Sequence, residues 1–146
     1  ILEQVTDPEV PVLTITDLGI VRDVKLNSDE VEIIITPTYT GCPAMDMIAM
    51  NIKLALIENG YSNIRITSVL APAWTTDWMT EEGKRKLKEY GIAAPNKNFE
   101  IPTDGVECPL CNSTNTKLIS EFGSTACKAL YQCKDCKEPF DYFKCH

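Results

Sequence analysis

Apolar and polar residues alternate over Val31–Thr36, with Val31, Ile33 and Ile35 on one face and Glu32 on the other. A period of two is that of a half-buried strand. A run from about Ile20 to Leu26 precedes it, with Val24 and Leu26 on a shared face, and the polar turn Asn27-Ser28-Asp29 joins the two as a hairpin. Beyond Pro43 the period lengthens. Met45, Ile48, Ile52, Ala55 and Leu56 form one stripe at helical spacing, and Met47, Met50, Leu54 and Ile57 form a second. Pro43 suits the first helical position and Gly60 the stop, so the helix runs to about Glu58 or Asn59. A helix apolar on two sides belongs between layers or at an interface. Its methionines read as core packing rather than as a cofactor pocket.

A third strand spans about Asn63 to Leu70. Thr80 then caps a polar helix with Glu81 and Glu82 in its first turn and Lys84, Arg85, Lys86 and Lys88 later, an order that suits the helix dipole. Gly91 ends it. The stretch 92–105 contains Pro95 and Pro102, lacks periodicity and reads as a linker. Short strands follow over Lys117–Phe122 and Ala129–Gln132, and Pro139-Phe140-Asp141-Tyr142-Phe143 supplies aromatic core. At the other end, Ile1–Val5 reads as the close of a helix begun upstream, since the chain opens on Ile1 rather than Met. Asp7-Pro8-Glu9 breaks that helix, and Thr16-Asp17-Leu18-Gly19 is a second turn. The fold class expected is α+β: a small mixed-sheet unit with packed helices over 1–91, the linker 92–105, and a β unit over 106–146.

The 146 residues suffice for one ordinary domain and one small one. A net charge of −7 opposes a phosphate backbone, so nucleic acid is an unsuitable partner. No apolar run reaches the length of a membrane span.

The seven cysteines carry the strongest chemical signal. Cys108-Pro-Leu-Cys111 and Cys133-Lys-Asp-Cys136 are two Cys-x-x-Cys turns, each able to present two sulfurs to one tetrahedral ion. The reading is a structural zinc held by Cys108, Cys111, Cys133 and Cys136 in a zinc ribbon. Iron in a rubredoxin-like site uses the same ligands and stays open at this stage. Redox dithiols or disulfides fit less well, because no strand-then-helix redox motif surrounds either pair. Cys42, Cys127 and Cys145 are left over, which suits a reducing cytoplasm better than a disulfide framework. Cys127, Cys145 and the terminal His146 are expected near the ribbon without completing its primary site.

Cys42 is the candidate functional thiol. It stands directly before the first long helix, whose N-terminus favours a thiolate, and Gly41 removes a side chain beside it. Thr36, Thr38 and Thr40 could donate hydrogen bonds to a sulfur or a bound ion. A buried, inert cysteine is the plainer alternative. No general base accompanies the thiol, which argues against a thiol enzyme.

Asp7-Pro8-Glu9, Asp17-Leu18-Gly19-Ile20-Val21 and Thr40-Gly41-Cys42-Pro43-Ala44 together resemble the metal–sulfur cluster assembly domain of SufT-like proteins. The ribbon motifs, with Phe122-Gly-Ser-Thr-Ala-Cys127-Lys-Ala-Leu-Tyr131 and Glu138-Pro-Phe-Asp-Tyr-Phe-Lys-Cys145, resemble the PaaD (PaaJ) family of the phenylacetate-degradation operon. The resemblance covers essentially the whole chain. It implies a bacterial cytoplasmic accessory factor that helps mature a multicomponent phenylacetyl-CoA epoxidase, through its iron–sulfur reductase or its diiron subunit, and that is not itself an enzyme. The other subunits of that system would be the partners, with a homodimer left open. The family's reactive cysteine maps onto Cys42, where iron or an iron–sulfur cluster would bind transiently, and its acidic turn residues onto Asp7, Glu9 and Asp17. Thr36 and Thr40 would complete a polar surround. A structural adaptor that docks through the ribbon without handling iron is the alternative. The residues themselves agree on one point: no helical set of carboxylates and histidines for a diiron centre is present, and no Gly-rich nucleotide fingerprint.

Overall fold

The computed structural model describes residues 1–39, 41–95 and 102–144. The chain divides into two compact units, Ile1–Gly83 and Lys84–His146.

In the first unit, β1 (Val21–Leu26) and β2 (Val31–Ile35) form the expected hairpin, and β3 (Ile64–Ser68) pairs in parallel with β2. The parallel pairing follows from the crossover between them, α1 (Ala44–Glu58), since two parallel strands need a long connection. Val31, Ile33 and Ile35 are buried and meet the buried stripe of α1, Ile48, Ile52 and Leu56. The second α1 stripe is not covered within this chain: Met47, Met50, Leu54 and Ile57 are each more than half exposed. Val24 and Leu26 also stay exposed. They share the face of their partners Ile33 and Val31, but β1 is the edge strand, and there they line an open groove with Ile1 and Tyr61. The first residues form a short 3-10 turn, Leu2–Gln4.

The segment between Val5 and Ile20 supplies much of the core. Val5, Val10, Leu13, Ile15, Leu18 and Ile20 are all buried. A bridge between Thr6 and Thr14 closes this loop, and Ile15 N–H donates to the Val5 carbonyl at 2.9 Å. The stretch after β3 returns to it. Trp74 Nε1 donates to the Leu18 carbonyl at 2.7 Å, and Thr80 N–H donates to the Asp17 carbonyl at 2.9 Å. Thr80 caps α2 (Glu81–Glu89) as expected, accepting from Gly83 N–H at 3.0 Å.

The second unit is a four-stranded sheet in the order β4-β7-β6-β5, made of β4 (Ile92–Ala93), β5 (Thr116–Ser120), β6 (Lys128–Cys133) and β7 (Pro139–Phe143). The stretch 92–105, which composition reads as a linker, contributes at both ends. Its start is β4, parallel to β7, and further on Asp104 bridges to Lys117. Residues 96–101 lie outside the described residues. Tyr131, Phe140 and Tyr142 pack with Ala93, Val106 and Ala129 into one cluster that includes Cys108 and Cys133. The core of this unit therefore runs directly into its metal site.

Candidate metal and thiol sites

Two turns of matching shape build the first site. Each Cys-x-x-Cys is followed by a residue in left-handed backbone geometry, Asn112 at φ 62° and Lys137 at φ 67°. That turn reverses the chain and aims backbone N–H groups at sulfur: Ser113 at Cys111, Cys136 at Cys133 and Glu138 at Cys136. The first turn closes with Asn112 N–H on the Cys108 carbonyl at 2.8 Å and Cys108 N–H on the Ser113 carbonyl at 2.8 Å. The second closes with Cys133 N–H on the Glu138 carbonyl at 3.0 Å.

Across the two turns, the Cys108 and Cys136 sulfurs are 3.8 Å apart and those of Cys111 and Cys133 are 3.6 Å apart. All four lie within 4.8 Å of one another. A tetrahedral Zn²⁺ with bonds of ~2.3 Å has S···S edges of about 3.8 Å, so the donor set fits zinc in size and chemistry. Zinc bound here would tie the two turns together and hold all four sulfurs as thiolates. Without a cation they cannot all ionise. At Cys133 the backbone hydrogen bond from Cys136 leads in lowering the thiol to about 7. At Cys111 the hydrogen bond from Ser113 lowers the pKa, but desolvation and the neighbouring thiols outweigh it and push the group up to about 12. A divalent cation removes this mutual repulsion.

Cys127 is buried in the same unit but outside this set, with its sulfur 3.0 Å from Thr125 Oγ1. The six cysteines among the described residues are all free thiols. Cys145 and His146 lie outside the described residues.

The second site is the loop before α1. Gly41 takes φ +79°, and a side chain there would meet nothing within 4 Å. Glycine is therefore needed for the turn rather than for room beside the sulfur. Cys42 is half-buried, and its carbonyl accepts from Met45 N–H at 3.3 Å as α1 begins. Its thiol is raised above the ordinary value, chiefly by burial. Hydrogen bonds from the Ala44 backbone and Tyr39 pull it down, as the helix start leads one to expect, but they do not win. The charges of Glu9 and Asp7 push it further up. The expected thiolate is thus disfavoured in the free protein.

That field also shows which predicted residues meet. Asp7 and Glu9 act on Cys42 from the first loop. Asp7 Oδ1 holds that loop in shape by accepting from Glu9 N–H at 2.7 Å and Val10 N–H at 2.9 Å. Thr36 is 1% exposed at the end of β2, and its hydroxyl is without a hydrogen-bond partner. Asp17 is engaged with its own turn and the cap of α2: Oδ2 accepts from Thr14 N–H at 3.1 Å and Oδ1 from Thr80 Oγ1 at 3.3 Å. Thr40 lies outside the described residues. The sequence reading misses the clasp formed by Trp74, Trp78 and Thr80 on the Asp17–Gly19 turn. Its signal was present in two tryptophans beside prolines and threonines, a costly composition for a plain loop.

Known proteins agree with both halves. A family described as iron–sulfur cluster assembly proteins matches residues 1–59, and the PaaD zinc beta ribbon domain matches residues 93–144. The Fe-S protein maturation auxiliary factor YitW of Bacillus subtilis (strain 168) is 38% identical over 88 residues, covering 59% of this chain and 85% of that protein. A crystal structure of a domain of unknown function from Bacillus anthracis matches with a TM-score of 0.56 and 32% identity, over 59% of this chain and 83% of that one. A protein of Escherichia coli (strain K12), named as one of the subunits of 1,2-phenylacetyl-CoA epoxidase, is 52% identical over 148 residues, covering 99% of this chain and 89% of that protein. An identity of that size along nearly the whole length, with the assembly-type and ribbon halves in the same order, means that the chain belongs to the PaaD family of phenylacetyl-CoA epoxidase subunits.

Proposed function

We propose that this chain is a cytoplasmic accessory factor of aerobic phenylacetate breakdown that helps load iron, as a cluster or a diiron centre, into the multicomponent phenylacetyl-CoA epoxidase. The names borne by its relatives support the pathway and the maturation role. The observation that carries the chemistry is the field at Cys42. Burial and two carboxylates make the position poor for a free thiolate, and the same negative charges make it attractive to a cation. An iron ion or cluster arriving as cargo would displace the thiol proton and gain one sulfur ligand. One sulfur in a half-buried loop is an incomplete coordination shell, which suits transfer rather than storage. The unpartnered hydroxyl of Thr36 lies in the same stretch of chain, six positions before the thiol. The ribbon zinc has a structural task, and the chain performs no turnover of its own.

The adaptor reading keeps one observation in its favour, because a half-buried thiol of raised pKa is also what an inert packing cysteine shows. Replacing Cys42 with serine separates the two. A strain carrying only C42S should grow poorly on phenylacetate, with low iron in the reductase or oxygenase, while the purified variant keeps its fold and ribbon zinc. Normal growth with full iron loading would leave the adaptor reading standing.

A further inference from the structure

We infer that Asp135 is a positioning residue for the ribbon metal, a latch that joins the two cysteine turns independently of the ion. It lies inside the second turn, Cys133-Lys-Asp-Cys136, and its carboxylate reaches the exit of the first. Ser113 Oγ donates to Oδ2, and Asn115 Nδ2 donates to Oδ1 at 3.0 Å. Both oxygens are therefore used, one by each donor. The backbone continues the connection. Lys134 N–H donates to the Asn115 carbonyl at 2.8 Å, Asn115 N–H donates to Ser113 Oγ at 3.1 Å, and the Ser113 carbonyl accepts from Cys108 N–H at 2.8 Å. The network runs from one ligand-bearing turn to the other without passing through a sulfur.

Electrostatics alone would not put a carboxylate here. A zinc bound by four thiolates carries a net charge of about −2, so an extra negative charge beside it opposes metal binding. Geometry gives the reason for keeping it. When one zinc–sulfur bond opens, the turns must stay in register for the thiolate to return before the ion leaves. The Asp135 bonds hold that register. The two explanations predict opposite signs. Removing the latch should speed zinc loss; removing only a repelling charge should slow it.

The test uses the full zinc-loaded chain and measures release to the dye 4-(2-pyridylazo)resorcinol in excess. Asp135→Ala should release zinc faster, on the order of five- to tenfold for two lost charge-assisted bonds in an exposed setting. Asp135→Asn removes the charge but can keep both contacts, its oxygen accepting from Asn115 and its amide donating to Ser113. It should release zinc at close to the parent rate. Asn115→Ala removes one bond and should give a smaller acceleration, and it decides the matter if Asp135→Ala fails to load zinc. Release that is unchanged or slower in Asp135→Ala, or equal in the Ala and Asn variants, overturns the latch.

Discussion

Gly19→Ala tests whether the clasp over the Asp17 turn holds the first unit together. Gly19 has φ +70°, where an alanine costs roughly 1–2 kcal/mol. Its new Cβ would also lie 2.3 Å from the Trp78 carbonyl oxygen and 2.8 Å from Trp78 Cβ. The first of these is backbone and cannot rotate away, so the stretch of chain at Trp78 must retreat by about 1 Å. That stretch is bound on both sides of the clash, by the Trp74 and Thr80 hydrogen bonds to Leu18 and Asp17 and by Arg22 stacked 3.6 Å over the Trp78 ring. Loss of one or two such bonds adds ~1 kcal/mol each. The expected destabilisation is therefore about 3 kcal/mol, a large share of the stability of a small domain. Urea unfolding followed by tryptophan fluorescence measures it cleanly, because both tryptophans of the chain lie in this unit. Gly83→Ala is the control. Its Cβ would meet Asp17 at 3.1 Å, but in helical backbone, where alanine is favoured, so a net change under ~1 kcal/mol is expected. A loss below about 1 kcal/mol in Gly19→Ala would show that the clasp is loose and the reasoning wrong.

Elemental analysis of protein purified without chelator should find about one zinc per chain, and stripping it should abolish the near-ultraviolet circular dichroism of the packed Tyr131 and Tyr142. Zinc retention should fall as the pH drops through about 7, where Cys133, the ligand of lowered pKa, takes up its proton; retention unchanged down to pH 5 would contradict the assignment. Alkylation of Cys42 by iodoacetamide should be slow at neutral pH and rise only above pH 9, since its folded pKa is raised, and Glu9→Gln should quicken it by about twofold.

The legible parts of this fold were those with a local period. The hairpin and α1 could be read because Val31, Ile33 and Ile35 alternate and Ile48, Ile52 and Leu56 recur by turns. The loop from Val5 to Ile20 could not. Its buried positions follow neither period, because each is set by a turn or by chain that returns from far away, such as Trp74 meeting Leu18 across 56 positions. The ribbon ligands were plain from spacing. The turn after Cys111 had a cue in Asn112, a residue that tolerates left-handed geometry, whereas Lys137 in the matching place gave none. β4 was hidden in a segment without periodicity because two residues are too few to show one. The exposed stripe of α1 was visible as apolar, but not its exposure, which depends on there being only one sheet to cover it.

The two thiol sites share a logic that sequence position alone gets wrong. A cysteine at a helix start suggests a ready thiolate, yet burial and the charges of Glu9 and Asp7 keep Cys42 protonated. Cys111 is likewise pushed up, although it sits in a zinc-binding turn. In both places the thiol is a poor nucleophile and a good ligand, because what penalises its anion is a local excess of negative charge or a lack of water, and a metal cation relieves both. The sites differ in number. Four converging sulfurs complete a tetrahedron and retain their ion. One sulfur with two nearby carboxylates can only receive an ion and release it. A protein carrying both kinds of site on separate units can keep a zinc for its own folding while passing iron onward.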